Sequence, residues 1–184
     1  AENLSQCIES VLSQDYENWQ YIIANNRSTD RTLEIAMAYA SRDPRIHVYD
    51  DELFVSGRAN MNRALSRIAA HSKYCKMIGA DDWIYPGCIR QMVDIAEASP
   101  TVSIVGSYWI SGADAGPVQP LPLGMPQGVT VLPGREMCRA FLLGGHYQFG
   151  TPTSLLYRAD IVRSRAEFFE EAFDSADVDV CLRF

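Results

Sequence analysis

Apolar positions in the first stretch of the chain recur at helical spacing. Leu4, Cys7, Ile8, Val11 and Leu12 fall on one face, which predicts an amphipathic helix with Asn3 as its N-cap. The pattern then changes to a continuous run of strand length, Trp19-Gln20-Tyr21-Ile22-Ile23-Ala24. Asn25-Asn26-Arg27-Ser28 reads as a turn, with Ser28 or Thr29 capping a helix from Thr32 to Arg42 that offers Leu33, Ile35, Ala36 and Tyr39 for burial. A second strand, Ile46-His47-Val48-Tyr49, is closed by Asp50-Asp51. Gly57 introduces a helix from Ala59 to Ala70 with Met61, Ala64, Leu65 and Ile68 on its apolar stripe. A strand over 74–78 and a helix over 88–98, stopped by Ser99-Pro100, follow. Strand and helix alternating at short intervals imply βαβ units, a mostly parallel sheet and right-handed crossovers, so the fold class is α/β.

After Pro100 the texture changes. Residues 102–110 read as a long strand, whereas 112–134 hold five of the nine prolines and no helical period. That segment is expected to be a long, mobile loop. Arg135 to Leu143 has a helical pattern, and Ser154-Leu155-Leu156-Tyr157 reads as a strand. There is no internal repeat.

Composition narrows the partners. The chain has 184 residues, 47% hydrophobic and 21% charged, which is ordinary for a globular protein that buries one core. A formal net charge of −7 and a pI near 4.9 give no bulk attraction for nucleic acid or an anionic membrane. An anionic ligand would need a metal or helix N-termini to offset its charge. The five cysteines are odd in number and lack C-x-x-C spacing, which argues against a zinc site or a disulfide framework and fits a reducing compartment. With no run of 18 apolar residues and no signal peptide, a cytoplasmic location is expected, and association with the cytoplasmic membrane face is left open.

The chemistry centres on Gly79-Ala80-Asp81-Asp82, set between the strand 74–78 and the helix 88–98, with Pro86-Gly87 shaping the turn. Ligands of α/β sheets bind at the carboxyl ends of strands. Two carboxylates there suit Mg²⁺ or Mn²⁺, hard cations that share their shell with substrate phosphates. The same residues also fit helix capping and loop solvation. Two further polar turns, Asn25-Asn26 to Asp30 and Asp174 to Asp179, stand at segment ends. If the first two strands are neighbours in a parallel sheet, the turns meet at one edge, as a nucleotide-plus-metal site requires.

Several stretches together resemble the family 2 inverting glycosyltransferases of the GT-A fold. They are Ile8-Glu9-Ser10-Val11-Leu12-Ser13-Gln14-Asp15-Tyr16, then Trp19, Ile22-Ile23 and Ser28-Thr29-Asp30-Arg31-Thr32, then Asn62-Arg63-Ala64-Leu65, Ala80-Asp81-Asp82 with Pro86-Gly87, and Asp177 to Arg183. The resemblance implies a single αβα domain over 1–184, with a Rossmann-like nucleotide-sugar half over 1–99 and an acceptor half over 100–184. It implies transfer of a sugar from a nucleoside-diphosphate donor, most often UDP-linked, to a glycan or lipid-linked acceptor in polysaccharide or surface-glycan synthesis. By position, Asp82 matches the metal ligand, Asp81 a sugar-facing residue, Asn26 a base contact, Arg58 a phosphate neighbour and Asp177 the catalytic base; the cofactor would be Mn²⁺ or Mg²⁺.

The chain also departs from the family. Asn25-Asn26 replace an Asp pair, Gly79 replaces the first Asp of the metal motif, and Ala176 replaces the Glu that often precedes the base. No counterpart of the family's opening strand precedes Leu4, and Cys181-Leu182-Arg183-Phe184 carries no C-cap, so both ends are expected to be cut. His146 could touch acceptor or phosphate, and Tyr108 and Trp109 could stack on a sugar or fill the core. A nucleotidyltransferase-like enzyme, which would need a Gly-rich basic phosphate loop, and a catalytically decayed nucleotide-sugar-binding module are the alternatives.

Overall fold

A computed structural model describes residues 1–110, 128, 131–144, 149–172 and 175–184. The first helix, α1 (Leu4–Leu12), buries Leu4, Cys7, Ile8 and Val11, the stripe its spacing predicts. Asn3 stands at its start, but the side chain makes no capping bond; only the Asn3 carbonyl accepts, from the Cys7 N–H at 3.0 Å. Strands β1 (Tyr21–Asn25) and β2 (Ile46–Asp50) pair in parallel, with Tyr21 opposite Ile46 and Asn25 opposite Asp50. Between them runs α2 (Thr32–Ala40), which starts after Arg31 rather than at Ser28 or Thr29. Asp30 does the capping, its Oδ1 accepting the Thr32 N–H at 3.0 Å, and a carboxylate there also meets the positive end of the helix dipole. Leu4, Ile8, Ala36 and Ile46 form the core shared by α1, α2 and β2.

The next helix, α3 (Gly57–Leu65), is capped by Ser56, whose hydroxyl accepts the Ala59 N–H at 3.1 Å. It stops well short of Ala70. The N–H groups of Arg67 and Ile68 reach back to the carbonyls of Ala64 and Leu65, tightening the last turn until the helix ends.

Strand β3 (Tyr74–Lys76) leads to α4 (Cys88–Ala98), β4 (Ile104–Gly106), α5 (Gly134–Gly144), β5 (Leu155–Arg158), α6 (Ala159–Arg163) and α7 (Ala176–Arg183). The order of the second sheet is β3-β5-β4, and both pairings are antiparallel. The parallel arrangement expected from the alternating pattern therefore describes β1 and β2, while β5 runs against its two neighbours. The strand expected over 102–110 forms a ladder only at Ile104–Gly106, because the Pro152–Ser154 turn ends the partner run on β5. Since β5 lies between β3 and β4, the halves anticipated at 1–99 and 100–184 share one sheet.

Side chains alternate along β5 and explain the layering. Leu155 and Tyr157 pack with Phe168, Phe169, Val180 and Cys181 on one face, and Leu156 packs with Met92, Val93 and Ala96 of α4 on the other. Both faces are covered by helices, as an αβα domain requires. Burying Leu156 contributes about 1.5–3 kcal/mol.

Gly150 holds the approach to β5. Its φ is +96°, and a Cβ there would lie 2.2 Å from the Ser154 hydroxyl oxygen and 3.0 Å from the Trp109 ring. Trp109 thus packs on the glycine backbone. Gly150→Ala is expected to destabilise the fold by about 1–3 kcal/mol from backbone strain alone, read as a lower urea midpoint; an unchanged midpoint would show that this turn is not rigid. The proline-rich segment 112–134 lies almost wholly outside the described residues, as do His146 and Asp174.

Candidate active site

The carboxylate pair sits on the loop that leaves β3. The Asp82 N–H donates to the Gly79 carbonyl at 3.0 Å and closes a tight turn over Gly79–Asp82. Gly87, at φ +77°, then turns the chain into α4, a left-handed conformation that glycine adopts without steric cost.

Two sides clamp this loop. From α1, the Ser10 hydroxyl accepts the Ile84 N–H at 3.2 Å, and just past the end of α1 the buried Gln14 amide donates to the Tyr85 carbonyl at 2.9 Å while accepting the Ile89 N–H at 3.1 Å. Losing Gln14 would leave the Tyr85 carbonyl and the Ile89 N–H without these partners. The Cys7 thiol donates to the Gly79 carbonyl at 3.4 Å and lies 3.4 Å from the Tyr21 hydroxyl. Burial pushes the Cys7 thiol up, and the neighbouring Asp82 and Asp81 charges add to the rise.

From the other side comes Thr153. Lys76 faces Leu156 in the β3–β5 ladder, and Thr153 stands in the Pro152–Ser154 turn directly ahead of β5. The Thr153 hydroxyl accepts the Gly79 N–H at 3.0 Å and donates to Asp82 Oδ2 at 2.5 Å. Lys76 Nζ donates to the Thr153 carbonyl and, at 3.5 Å, to that of Leu155.

Burial pushes the Lys76 ammonium down to about 8. Between about pH 8 and the ordinary lysine value near 10.4, the unfolded chain therefore binds more protons than the folded one. Stability contributed by Lys76 rises with pH across that window, by at most about 1.4 kcal/mol per pH unit, and is constant below it. The stability of the wild-type chain minus that of Lys76→Met is expected to grow accordingly in urea titrations. A pH-independent difference would contradict the depressed value.

Gly79 accounts for the carboxylate geometry. A Cβ there would fall 2.8 Å from Asp82 Oδ2 and 3.0 Å from Asp81 Oδ1, so the two side chains converge over the bare glycine. An aspartate at this position would push both aside. Two hard oxygen donors at one spot fit Mg²⁺ or Mn²⁺, whose remaining ligands come from phosphate and water. Among the described residues no third His, Cys, Asp or Glu joins them, so Asp177 is not a metal ligand alongside the pair.

The other predicted residues fall elsewhere. Asn25 ends β1 and donates to Asp50 Oδ1 at 2.7 Å, tying the two parallel strands at one edge. Asn26 is turned toward Val55: its amide donates to the Val55 carbonyl at 2.8 Å and accepts the Val55 N–H at 3.1 Å. Reading a base would use its second lone pair or second N–H. Arg58 is half-buried in the first turn of α3. Among the described residues no hydrogen bond or ion pair joins the Asn25-Asn26 turn to Asp81-Asp82; the turns belong to separate sheets, which Cys7 links through Tyr21 and Gly79.

Asp177 occupies the first turn of α7, half-buried, whose Val180 and Cys181 lie in the main core. The preceding segment is tied to α3, where Asn62 exchanges hydrogen bonds with the Phe169 backbone at 2.8 and 2.9 Å. Asp179, two residues on, is held by Arg183 at 2.9 Å. The Asp177 carboxylate has no hydrogen bond or ion pair to another side chain among the described residues. Sequence spacing did not point to Thr153, Lys76 or Gln14 as parts of the site. The signal present was the Thr151-Pro152-Thr153-Ser154 turn directly ahead of an apolar run.

The layering is that of an αβα domain with a carboxylate pair on the loop that follows β3. Residues 1–165 match the family model Glycosyl transferase family 2, and the chain belongs to that family. Relatives include EpsE of Bacillus subtilis (strain 168), a glycosyltransferase by name, at 32% identity over 145 residues, 74% of this chain and 51% of EpsE. TuaG of the same organism is 30% identical over 128 residues, 69% of this chain and 49% of TuaG. The chain spans about half the length of these curated relatives. Among solved structures, S. aureus TarS 1–349 matches with a TM-score of 0.73 at 17% identity, covering 98% of this chain and 50% of that one. Its complex with UDP-GlcNAc matches with a TM-score of 0.67 at 18% identity, covering 89% and 44%. At such identity the likeness is one of fold, and it agrees with the layering described above.

Proposed function

We propose that this chain carries the donor site of a metal-dependent, inverting glycosyltransferase that moves a sugar from a UDP-linked donor to an acceptor hydroxyl. The observation that carries this reading is the convergence of the Asp81 and Asp82 carboxylates over Gly79, in a chain that belongs to glycosyltransferase family 2. Asp82, fixed by Thr153, would hold Mn²⁺ or Mg²⁺, with Asp81 beside it on the sugar side. When bound, the cation offsets the charge that develops on the leaving diphosphate. Asn26 would contact the base and Arg58 the phosphates, by their positions in the family's order. Asp177 takes the proton of the acceptor hydroxyl as it attacks from the face opposite the diphosphate, which is what inversion requires.

The TarS complexes with UDP-GlcNAc and with UDP support a uridine donor, and the name of TuaG, in teichuronic acid biosynthesis, supports a surface-glycan acceptor. Five free thiols fit a reducing, cytoplasmic setting, with the acceptor presented at the membrane face; no described helix is long and apolar enough to cross a membrane. A binding module without turnover is the second reading, favoured by the engagement of Asn26 with Val55.

A panel of UDP-, GDP- and dTDP-sugars, assayed for donor cleavage and transfer with Mn²⁺ and with EDTA, tests the proposal. Mn²⁺-dependent turnover of a UDP-sugar is expected. Binding without turnover would favour the module, and neither binding nor turnover would overturn both readings.

A further inference from the structure

We infer that Thr153 is a positioning residue of the donor site, acting through the Asp82 carboxylate. The inference rests on the proposed metal role of Asp82. Its physical basis is the direction of two hydrogen bonds. A backbone N–H can only donate, so the Gly79 N–H takes a lone pair of the Thr153 hydroxyl at 3.0 Å. An ionised carboxylate can only accept, so the hydroxyl proton goes to Asp82 Oδ2 at 2.5 Å. Both ends of the hydroxyl are thereby assigned, and it has one orientation. Asp82 Oδ2 is in turn held at one place above Gly79, beside Asp81 Oδ1, with a further lone pair that can take a cation.

The threonine is itself held. Its carbonyl accepts from Lys76 Nζ, and Ser154 beside it donates through its hydroxyl to the Thr151 carbonyl at 2.8 Å. Gly150 permits the tight turn that brings these residues to the start of β5. The contacts that hold Thr153, from the Gly79 N–H and from Lys76 Nζ, come from the protein itself. The brace is therefore present before a donor arrives, and preorganised partners of this kind tune the affinity of a ligating carboxylate.

The consequence is specific to the hydroxyl. Valine matches threonine in shape but offers neither the lone pair nor the proton, and alanine removes the hydroxyl without adding bulk, so at least one of these variants should retain the fold. Serine keeps the hydroxyl. The experiment is calorimetric titration of UDP into the full chain over a series of Mn²⁺ concentrations, and again in EDTA.

Thr153→Val and Thr153→Ala are expected to raise the Mn²⁺ concentration that half-saturates UDP binding by about 10–100-fold. UDP affinity in EDTA should stay at the wild-type value, because the brace acts on the metal ligand and not on the nucleotide. Thr153→Ser should restore the Mn²⁺ requirement to within about threefold of wild type. An unchanged Mn²⁺ requirement in Thr153→Val or Thr153→Ala would overturn the inference. Equal loss of UDP affinity in EDTA, or failure of serine to rescue, would also overturn it, since either result assigns the effect to packing. If the wild-type chain binds UDP with no Mn²⁺ dependence, the metal role of Asp82 fails first and the inference falls with it. The wild-type titration thus separates the two failures.

Discussion

Asp177→Asn is expected to lower sugar transfer by roughly 10²–10⁴-fold, the usual loss when a positioned base is removed, while UDP affinity stays near the wild-type value. Attack by a hydroxyl on an anomeric carbon develops positive charge on the acceptor oxygen, and a carboxylate within hydrogen-bond reach relieves it by taking the proton. Asp177 is suited to that task by what surrounds it. It lies in the first turn of α7, a helix anchored in the core by Val180 and Cys181, so its backbone is fixed. Its neighbour Asp179 is committed to Arg183, whereas Asp177 has no such partner among the described residues. Asp179→Asn should therefore act through stability, with a small effect on turnover of folded protein. Single-turnover rates and UDP calorimetry on both variants decide the matter. Full transfer in Asp177→Asn, or a loss matched by an equal loss of UDP binding, would remove Asp177 from the role.

The second large effect is expected at Asp82. Asp82→Asn keeps the shape of the side chain and still offers an oxygen to the Thr153 hydroxyl, so the fold should persist. It removes the charge that a divalent cation requires. Losing that electrostatic support at the diphosphate should weaken transfer by about 3–4 kcal/mol, roughly 10²–10³-fold, and should abolish the Mn²⁺ dependence of UDP binding. Asp81→Asn should retain part of that dependence while impairing use of the intact sugar donor more than binding of UDP. A wild-type Mn²⁺ response in Asp82→Asn would mean that the cation, if one binds, sits elsewhere.

Much of this site was legible along the chain because its chemistry is local. Asp81-Asp82 stand between an apolar run and a helical period, and that boundary alone places them at a strand end. The stripe of α1, the span of α4 and the strands β1 and β2 were legible for the same reason, since burial period is written in consecutive residues. What was not legible depends on partners far away in sequence. The apolar run at Leu155-Leu156-Tyr157 reads as a buried strand, but nothing in such a run states the direction of its neighbours, and β5 proved antiparallel to both. Lys76 lies inside an apolar run, and nothing local shows that its ammonium is half-buried against the Thr153 and Leu155 carbonyls. Asn26 matched a base-contacting position, yet both ends of its amide are engaged by Val55, 29 residues on, a pairing no local pattern could announce. Thr153 lies 71 residues from Asp82 and meets it from the turn that precedes β5.

The most direct measurement of the central claim is a crystal structure of the chain grown with UDP and Mn²⁺, with the manganese located by its anomalous scattering. The account predicts one manganese bound by Asp82, with the UDP diphosphate completing its shell and the Thr153 hydroxyl still on Asp82 Oδ2. UDP bound away from the Gly79–Asp82 turn, or a manganese that does not touch Asp82, would contradict it.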